Sequence, residues 1–107
     1  MIFVTSDNRF ESDVLYVDKL VLVDVVAEWC RPCKEMRPIM EELAKTFAGK
    51  LIVGLIDLDS NPKTAKHYKI HSIPTFLLFK NGKLVEKIVG AHPMAEFVKH
   101  IEKHGSV

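Results

Sequence analysis

Trp29-Cys30-Arg31-Pro32-Cys33, entered from the apolar run Leu20–Val26, decides how the rest of the chain is read. Branched residues crowd the run (Val21, Val23, Val25, Val26), which suits a strand buried on both faces. After the cysteines, Met36, Ile39, Met40, Leu43 and Phe47 recur three or four residues apart, the spacing of an amphipathic helix. The pair therefore sits where a buried strand ends and a helix begins. Pro32 fits the first helical position, where a missing N–H costs nothing. Cys30 then lies at the helix N-terminus, where unpaired N–H groups and the helix dipole favour negative charge. The thiolate is the reactive form of cysteine, so this position makes Cys30 more reactive. Two cysteines spaced by two residues at such a site read as a dithiol/disulfide redox pair. As a metal site they would supply two of the four ligands zinc usually takes, and the chain has no second pair.

Composition narrows the class further. A chain of 107 residues suits one domain, expected over residues 1–107. Hydrophobic residues make up 48%, which excludes a disordered chain. The 15 basic and 14 acidic residues nearly cancel to +1, so neither nucleic acid nor an anionic membrane is an expected partner. A secreted disulfide scaffold would spread more cysteines through the chain. The segment Met1-Ile2-Phe3-Val4-Thr5 lacks the basic and apolar parts of a signal peptide. No apolar stretch approaches the ~20 residues of a membrane helix. The expectation is a soluble, cytoplasmic protein with a cycling disulfide.

In chain order, Ile2–Val4 is a short strand, and Ser6 or Asp7 is expected to cap a helix running to about Leu15. The central strand, the redox segment and the long helix follow, with a kink expected at Pro38 and a stop at Gly49. Residues 51–58 form a second apolar strand, parallel to the first through the helical crossover. Asn61-Pro62 signals a short helix, capped by Asn61, to about Tyr68. Ile73-Pro74 precedes a strand over residues 75–80. Asn81-Gly82 is a hairpin turn, because both residues tolerate positive φ. A returning strand over residues 84–89 ends at Gly90. Met94, Phe97, Val98 and Ile101 give the apolar face of a last helix. The order predicts an α/β fold: a central mixed five-stranded sheet with helices on both faces and the antiparallel hairpin at one edge.

With these pieces placed, the chain resembles the thioredoxin family nearly end to end. The residues that carry the likeness are Val23-Asp24, Ala27-Glu28-Trp29-Cys30, Pro32-Cys33-Lys34, Pro38, Asp59-Ser60-Asn61-Pro62, Ile73-Pro74-Thr75, Phe79-Lys80-Asn81-Gly82 and Val89-Gly90-Ala91. The resemblance implies the thioredoxin fold and a monomeric protein-disulfide reductase. Cys30 would be the exposed nucleophile that forms a mixed disulfide, and Cys33, more buried, would resolve it. Asp24, inside an apolar strand, should have a raised pKa; the resemblance makes it the acid that exchanges a proton with Cys33. It also makes Pro74 a cis-proline facing the disulfide, leaves the Ile73 backbone free to pair with an extended substrate segment, and puts Trp29, Ile73, Pro74, Gly90 and Ala91 on a flat apolar docking surface. Arg31 and Pro32, between the cysteines, are expected to meet substrate. Disulfide-bonded proteins are the implied substrates, and the implied electron donor is a separate thioredoxin reductase, in the family usually a flavoprotein using NADPH. No glycine-rich dinucleotide fingerprint is present, so no cofactor is expected on this chain, and no metal.

The chain departs from the family's pattern in three places. Arg31 stands where glycine is most familiar; its guanidinium beside Cys30 is expected to favour the thiolate and make the couple slightly more oxidising. Val25-Val26 replaces an aromatic residue common in the family. Leu55 occupies the place where many members carry a lysine near the buried acid, which leaves no expected cation beside Asp24. Rival readings are a pair tipped by Arg31 toward oxidation or isomerisation, and a binding module without redox turnover. His100 and His104, four apart on the last helix, read as a solvated face, with no acidic or cysteine partner to complete a metal site. His71 and His92 fall near the presumed active face.

Overall fold

A computed structural model describes residues 2–105. In order these form β1 (Ile2–Val4), a short helix (Glu11–Leu15), β2 (Leu20–Val26), α1 (Arg31–Thr46), β3 (Leu51–Asp57), α2 (Pro62–His67), β4 (Thr75–Lys80), β5 (Lys83–Val89) and α3 (Met94–Gly105). The strands make one mixed sheet in the order β1-β3-β2-β4-β5. β1 and β2 flank β3 in parallel, whereas β2–β4 and β4–β5 are antiparallel.

The two-residue period of β2 assigns its side chains to two cores. Leu20 and Leu22 pack with Met36, Met40 and Leu43 of α1 and Phe97 and Ile101 of α3. Val21, Val23 and Val25 pack on the other face with Phe10 and Val14 of the first helical region and Ile70 after α2. Phe76 of β4 meets Phe97 edge to face at 4.7 Å, which seats α3 on the sheet. Asn81 (φ 52°) and Gly82 (φ 79°) make the tight turn between β4 and β5. A Cβ at Gly82 would also run into the Leu15 carbonyl, so glycine is needed there twice over.

Three local expectations are corrected. The first helix covers only Glu11–Leu15 and is wound wide, with Tyr16 N–H donating to the Glu11 carbonyl five residues back. Helix α1 begins at Arg31, so Pro32 is its second residue, where an N–H would also have lacked a partner. Neither Ser6 nor Asp7 caps the first helix, whose N-cap position is Phe10 with no side-chain bond, and Asp7 instead takes the task expected of Asn61. The Asp7 carboxylate accepts from Lys63 N–H (3.0 Å), Thr64 N–H (2.9 Å) and the Thr64 hydroxyl (2.7 Å), capping α2 from 57 residues away. Asn61 makes no cap; its side chain accepts the Asp7 N–H and donates to the Asp57 carbonyl. Lys87 of β5 closes the other end of α2, its Nζ donating to the Tyr68 and Lys69 carbonyls.

Burial raises the Asp7 pKa, but the hydrogen bonds from Thr64 and Lys63 outweigh it and hold the carboxyl below its ordinary value. A depressed folded pKa contributes stability that is present above the unfolded value and lost as pH falls through the folded one. Asp7→Ala is therefore expected to lower stability by about 1–2 kcal/mol at pH 7, with the gap closing as pH falls below the ordinary carboxylate range. Urea denaturation at pH 7 and in acid checks this, and a gap undiminished in acid would count against the ionised cap.

Candidate active site

Chain leaving the carboxyl end of β2 passes through Ala27-Glu28-Trp29 and enters α1 with Cys30 as its N-cap, in extended conformation. Cys30 and Cys33 form a disulfide, with their Cα atoms 5.3 Å apart. The Cys33 N–H donates to Cys30 Sγ at 3.2 Å, so the sulfur occupies the place a capping oxygen usually takes. A thiolate at that position meets the same N–H and the positive end of a 16-residue helix.

The disulfide packs with Ala27, Val26 and Ile73. Cys30 is 4% exposed and Cys33 3%, so the expected contrast between an exposed and a buried cysteine is absent in the oxidised form. Ile73, in the segment before β4, packs against this cluster, and position on the helix, rather than exposure, distinguishes the two cysteines. The Ile73–Pro74 peptide bond is cis. Pro74 is buried, not part of an open surface, and its carbonyl accepts the Gly90 N–H at 2.8 Å. That bond holds half-buried Gly90 and exposed Ala91 beside the Pro74 segment. Ile73, half-buried, makes no backbone hydrogen bond to another described residue. Trp29 is 68% exposed, and its indole N–H donates to Asp59 Oδ2 at 2.8 Å. Asp59 lay in the run quoted above without an assigned task; here it fixes the direction of the ring.

Arg31 is 89% exposed, with Nε 3.7 Å from Glu35 Oε2 one turn along α1. A solvated guanidinium already facing a carboxylate has a weaker pull on a neighbouring thiolate, which reduces the effect expected of it. Pro32 is exposed beside it.

Asp24 is completely buried and neither carboxylate oxygen has a hydrogen-bond partner. Its register partners are Leu55 on β3 and Phe76 on β4, and Leu22 and Val26 precede and follow it on the same face of β2. Burial among these apolar neighbours pushes its pKa up to about 7, against the opposing attraction of Arg37. The expectation that no cation acts on Asp24 is thus corrected. The charge comes from α1, where Arg37 stands one turn beyond Cys33, a spacing visible in the sequence and not used.

His100 and His104 do not lie on a solvated face. His104 Nε2 is 2.7 Å from Glu86 Oε2 and His100 Nδ1 is 3.5 Å from Glu86 Oε1, all three residues being partly buried where α3 crosses β5. The hydrogen bond from His104 holds the Glu86 carboxyl below its ordinary value, burial opposing and His100 and Lys103 adding to it. The rings meet different oxygens of that carboxylate. Among the described residues no three His, Cys, Asp or Glu side chains are placed to hold a metal. His71 is exposed, and His92 Nε2 lies 2.9 Å from the Val89 carbonyl. No helix among the described residues is long and apolar enough to cross a membrane.

The thioredoxin family model matches residues 1–103. Thioredoxin 2 of Chlorobaculum tepidum is 43% identical over 102 residues, covering 95% of this chain and 94% of that protein. A thioredoxin of Acidithiobacillus ferridurans is 48% identical over 101 residues, 94% of each chain. A thioredoxin of Mycobacterium tuberculosis is 45% identical over 96 residues, 90% of this chain and 83% of that one. Because these matches run nearly end to end, the likeness is to whole proteins rather than to a shared active-site segment, and the chain belongs to the thioredoxin family.

Proposed function

We propose a division of labour within this protein-disulfide reductase, a thiol-disulfide oxidoreductase that works by exchange through Cys30 and Cys33. The Cys30 thiolate attacks one sulfur of a substrate disulfide. A Cys30–substrate disulfide forms, and the other substrate sulfur leaves as a thiolate and takes a proton from water. Asp24 accepts the Cys33 proton, and the Cys33 thiolate attacks Cys30 Sγ. The Cys30–Cys33 disulfide forms as the second substrate thiolate departs. Two electrons have passed to the substrate and the chain is oxidised. The observation that carries this assignment is the Cys30 sulfur seated as N-cap of α1, accepting the Cys33 N–H.

The free backbone of Ile73, exposed Trp29 and Ala91, and half-buried Gly90 bonded to Pro74 support docking of an extended substrate segment by main-chain pairing. Arg31 and Pro32, exposed at the start of α1, meet the substrate from the other side. The reading includes one domain over residues 1–107 acting as a monomer. It places the chain in the cytoplasm, where a reducing compartment keeps such a pair cycling. A separate reductase renews the dithiol.

Turnover of a disulfide-bonded protein with dithiothreitol as electron source tests the reading. Cys30→Ser is expected to reduce the rate to that of dithiothreitol alone. Undiminished acceleration by Cys30→Ser would instead support a module that only binds and opens its partner.

A further inference from the structure

A carboxyl sealed in an apolar sheet needs a way to exchange its proton and a charge that sets when it does so. The two-residue period that sends Leu22 toward α1 sends Asp24 and Val26 the same way. On β3 the same period groups Leu55 and Asp57 with Leu51 and Val53, and Leu55 is the register partner of Asp24. Between this strip and the helix lies a cavity of about 230 Å³. Val26, Leu55 and Asp57 line it from the sheet, and Cys33 and Arg37, one turn apart, from α1. It has room for water and polar groups to hold it.

The other charged groups around the cavity are Glu28 and Lys34. Arg37 is half-exposed, with Nε 3.9 Å from Glu41 Oε2, and Glu41 tempers its charge without removing it. Of the cations lining the cavity, Arg37 is the one that acts on Asp24, and it opposes the effect of burial.

We propose that Arg37 is a positioning residue for the exchange reaction: lining the cavity with Cys33 and with Leu55, the register partner of Asp24, it keeps the Asp24 carboxylate available to take the Cys33 proton. This rests on Asp24 acting as the base for Cys33. The thiol proton passes to the carboxylate, the Cys33 thiolate forms the bond to Cys30 Sγ as the substrate thiolate departs, and Asp24 later yields its proton to solvent. With Leu55 on β3, the strand itself brings no charge to Asp24 at that register.

The test compares the native chain with Arg37→Gln and Arg37→Lys at low salt. The Asp24 carboxyl is titrated by carbon NMR, and the rate of mixed-disulfide resolution is followed against pH. In Arg37→Gln the Asp24 midpoint is expected to rise by about half a pKa unit, less at high salt. The resolution profile is expected to move with it, slowing the step roughly twofold near neutral pH. Arg37→Lys should restore most of both. An Asp24 midpoint unchanged in Arg37→Gln at low salt overturns the proposal, and so does a midpoint that moves without the rate profile. If Asp24→Asn leaves the profile unaltered, the base reading itself fails, while the NMR titration still reports whether Arg37 acts on Asp24.

Discussion

Replacing Cys33 by serine is expected to leave the chain covalently joined to its substrate. The attacking group is untouched: Cys30 remains the N-cap, and the backbone N–H of residue 33, which reaches its sulfur at 3.2 Å, belongs to the serine as well. The first exchange therefore proceeds. The second needs a thiol held one helical turn away, and no other cysteine exists in the chain to supply it. Apart from reversal by the substrate's own second thiol, release then needs a free thiol from solution, at millimolar concentration rather than the far higher effective molarity of a tethered, oriented group. The adduct should outlive that of the native chain by several orders of magnitude. Mass spectrometry after mixing with a disulfide-bonded protein should place one substrate on Cys30. Trapping by Cys30→Ser through Cys33 instead would reverse the two roles. Near-equal burial of the sulfurs makes this worth measuring, because accessibility in the oxidised form does not decide it.

What the sequence revealed follows the range of the interactions involved. The continuous apolar run of β2 and the positive-φ pair Asn81-Gly82 are local signals, and both elements stand where they were read. Helix capping also looks local, yet α2 takes its cap from Asp7, while the residue placed to do it turns its amide elsewhere. No rule that scans neighbouring positions reaches across 57 residues. His100 and His104 depart from the expected solvated face for a similar reason. Their spacing showed a shared helix face, but which strand that face meets, and that Glu86 stands there, follows from how α3 docks on the sheet. Burial of Cys30 is tertiary too, since Ile73, far along the chain, packs against it. Arg37 is the instructive case, because its spacing from Cys33 was legible. Its nearness to Asp24 follows only once strand parity puts Asp24 on the face of the sheet that α1 covers.

Asp24→Asn should show the largest change in stability, and its sign depends on pH. The carboxyl has no hydrogen-bond partner and no exposure, so ionising it in place is costly. Its pKa accordingly stands at about 7 in the folded chain, whereas an aspartate in an unfolded chain titrates near 3.8. Between those values the native state holds a proton that the unfolded state has released. Stability therefore falls as pH rises from about 4 and levels off once the folded carboxyl is also ionised. A rise of about three pKa units corresponds to a loss on the order of 4 kcal/mol. The amide in Asp24→Asn is equally short of partners but carries no charge at any of these pH values, so it removes the pH-dependent part and leaves the rest. The oxidised variant should match the parent near pH 4 and exceed it by several kcal/mol above pH 8. Denaturant titrations at both ends of that window read the difference directly. A stability gap that is the same at pH 4 and pH 8 would mean that Asp24 ionises at its ordinary pKa. The same substitution should slow resolution of the mixed disulfide near neutral pH, because the amide cannot take the Cys33 proton. A variant both more stable and slower is the expected mark of a buried acid retained for its chemistry at a cost in folding free energy.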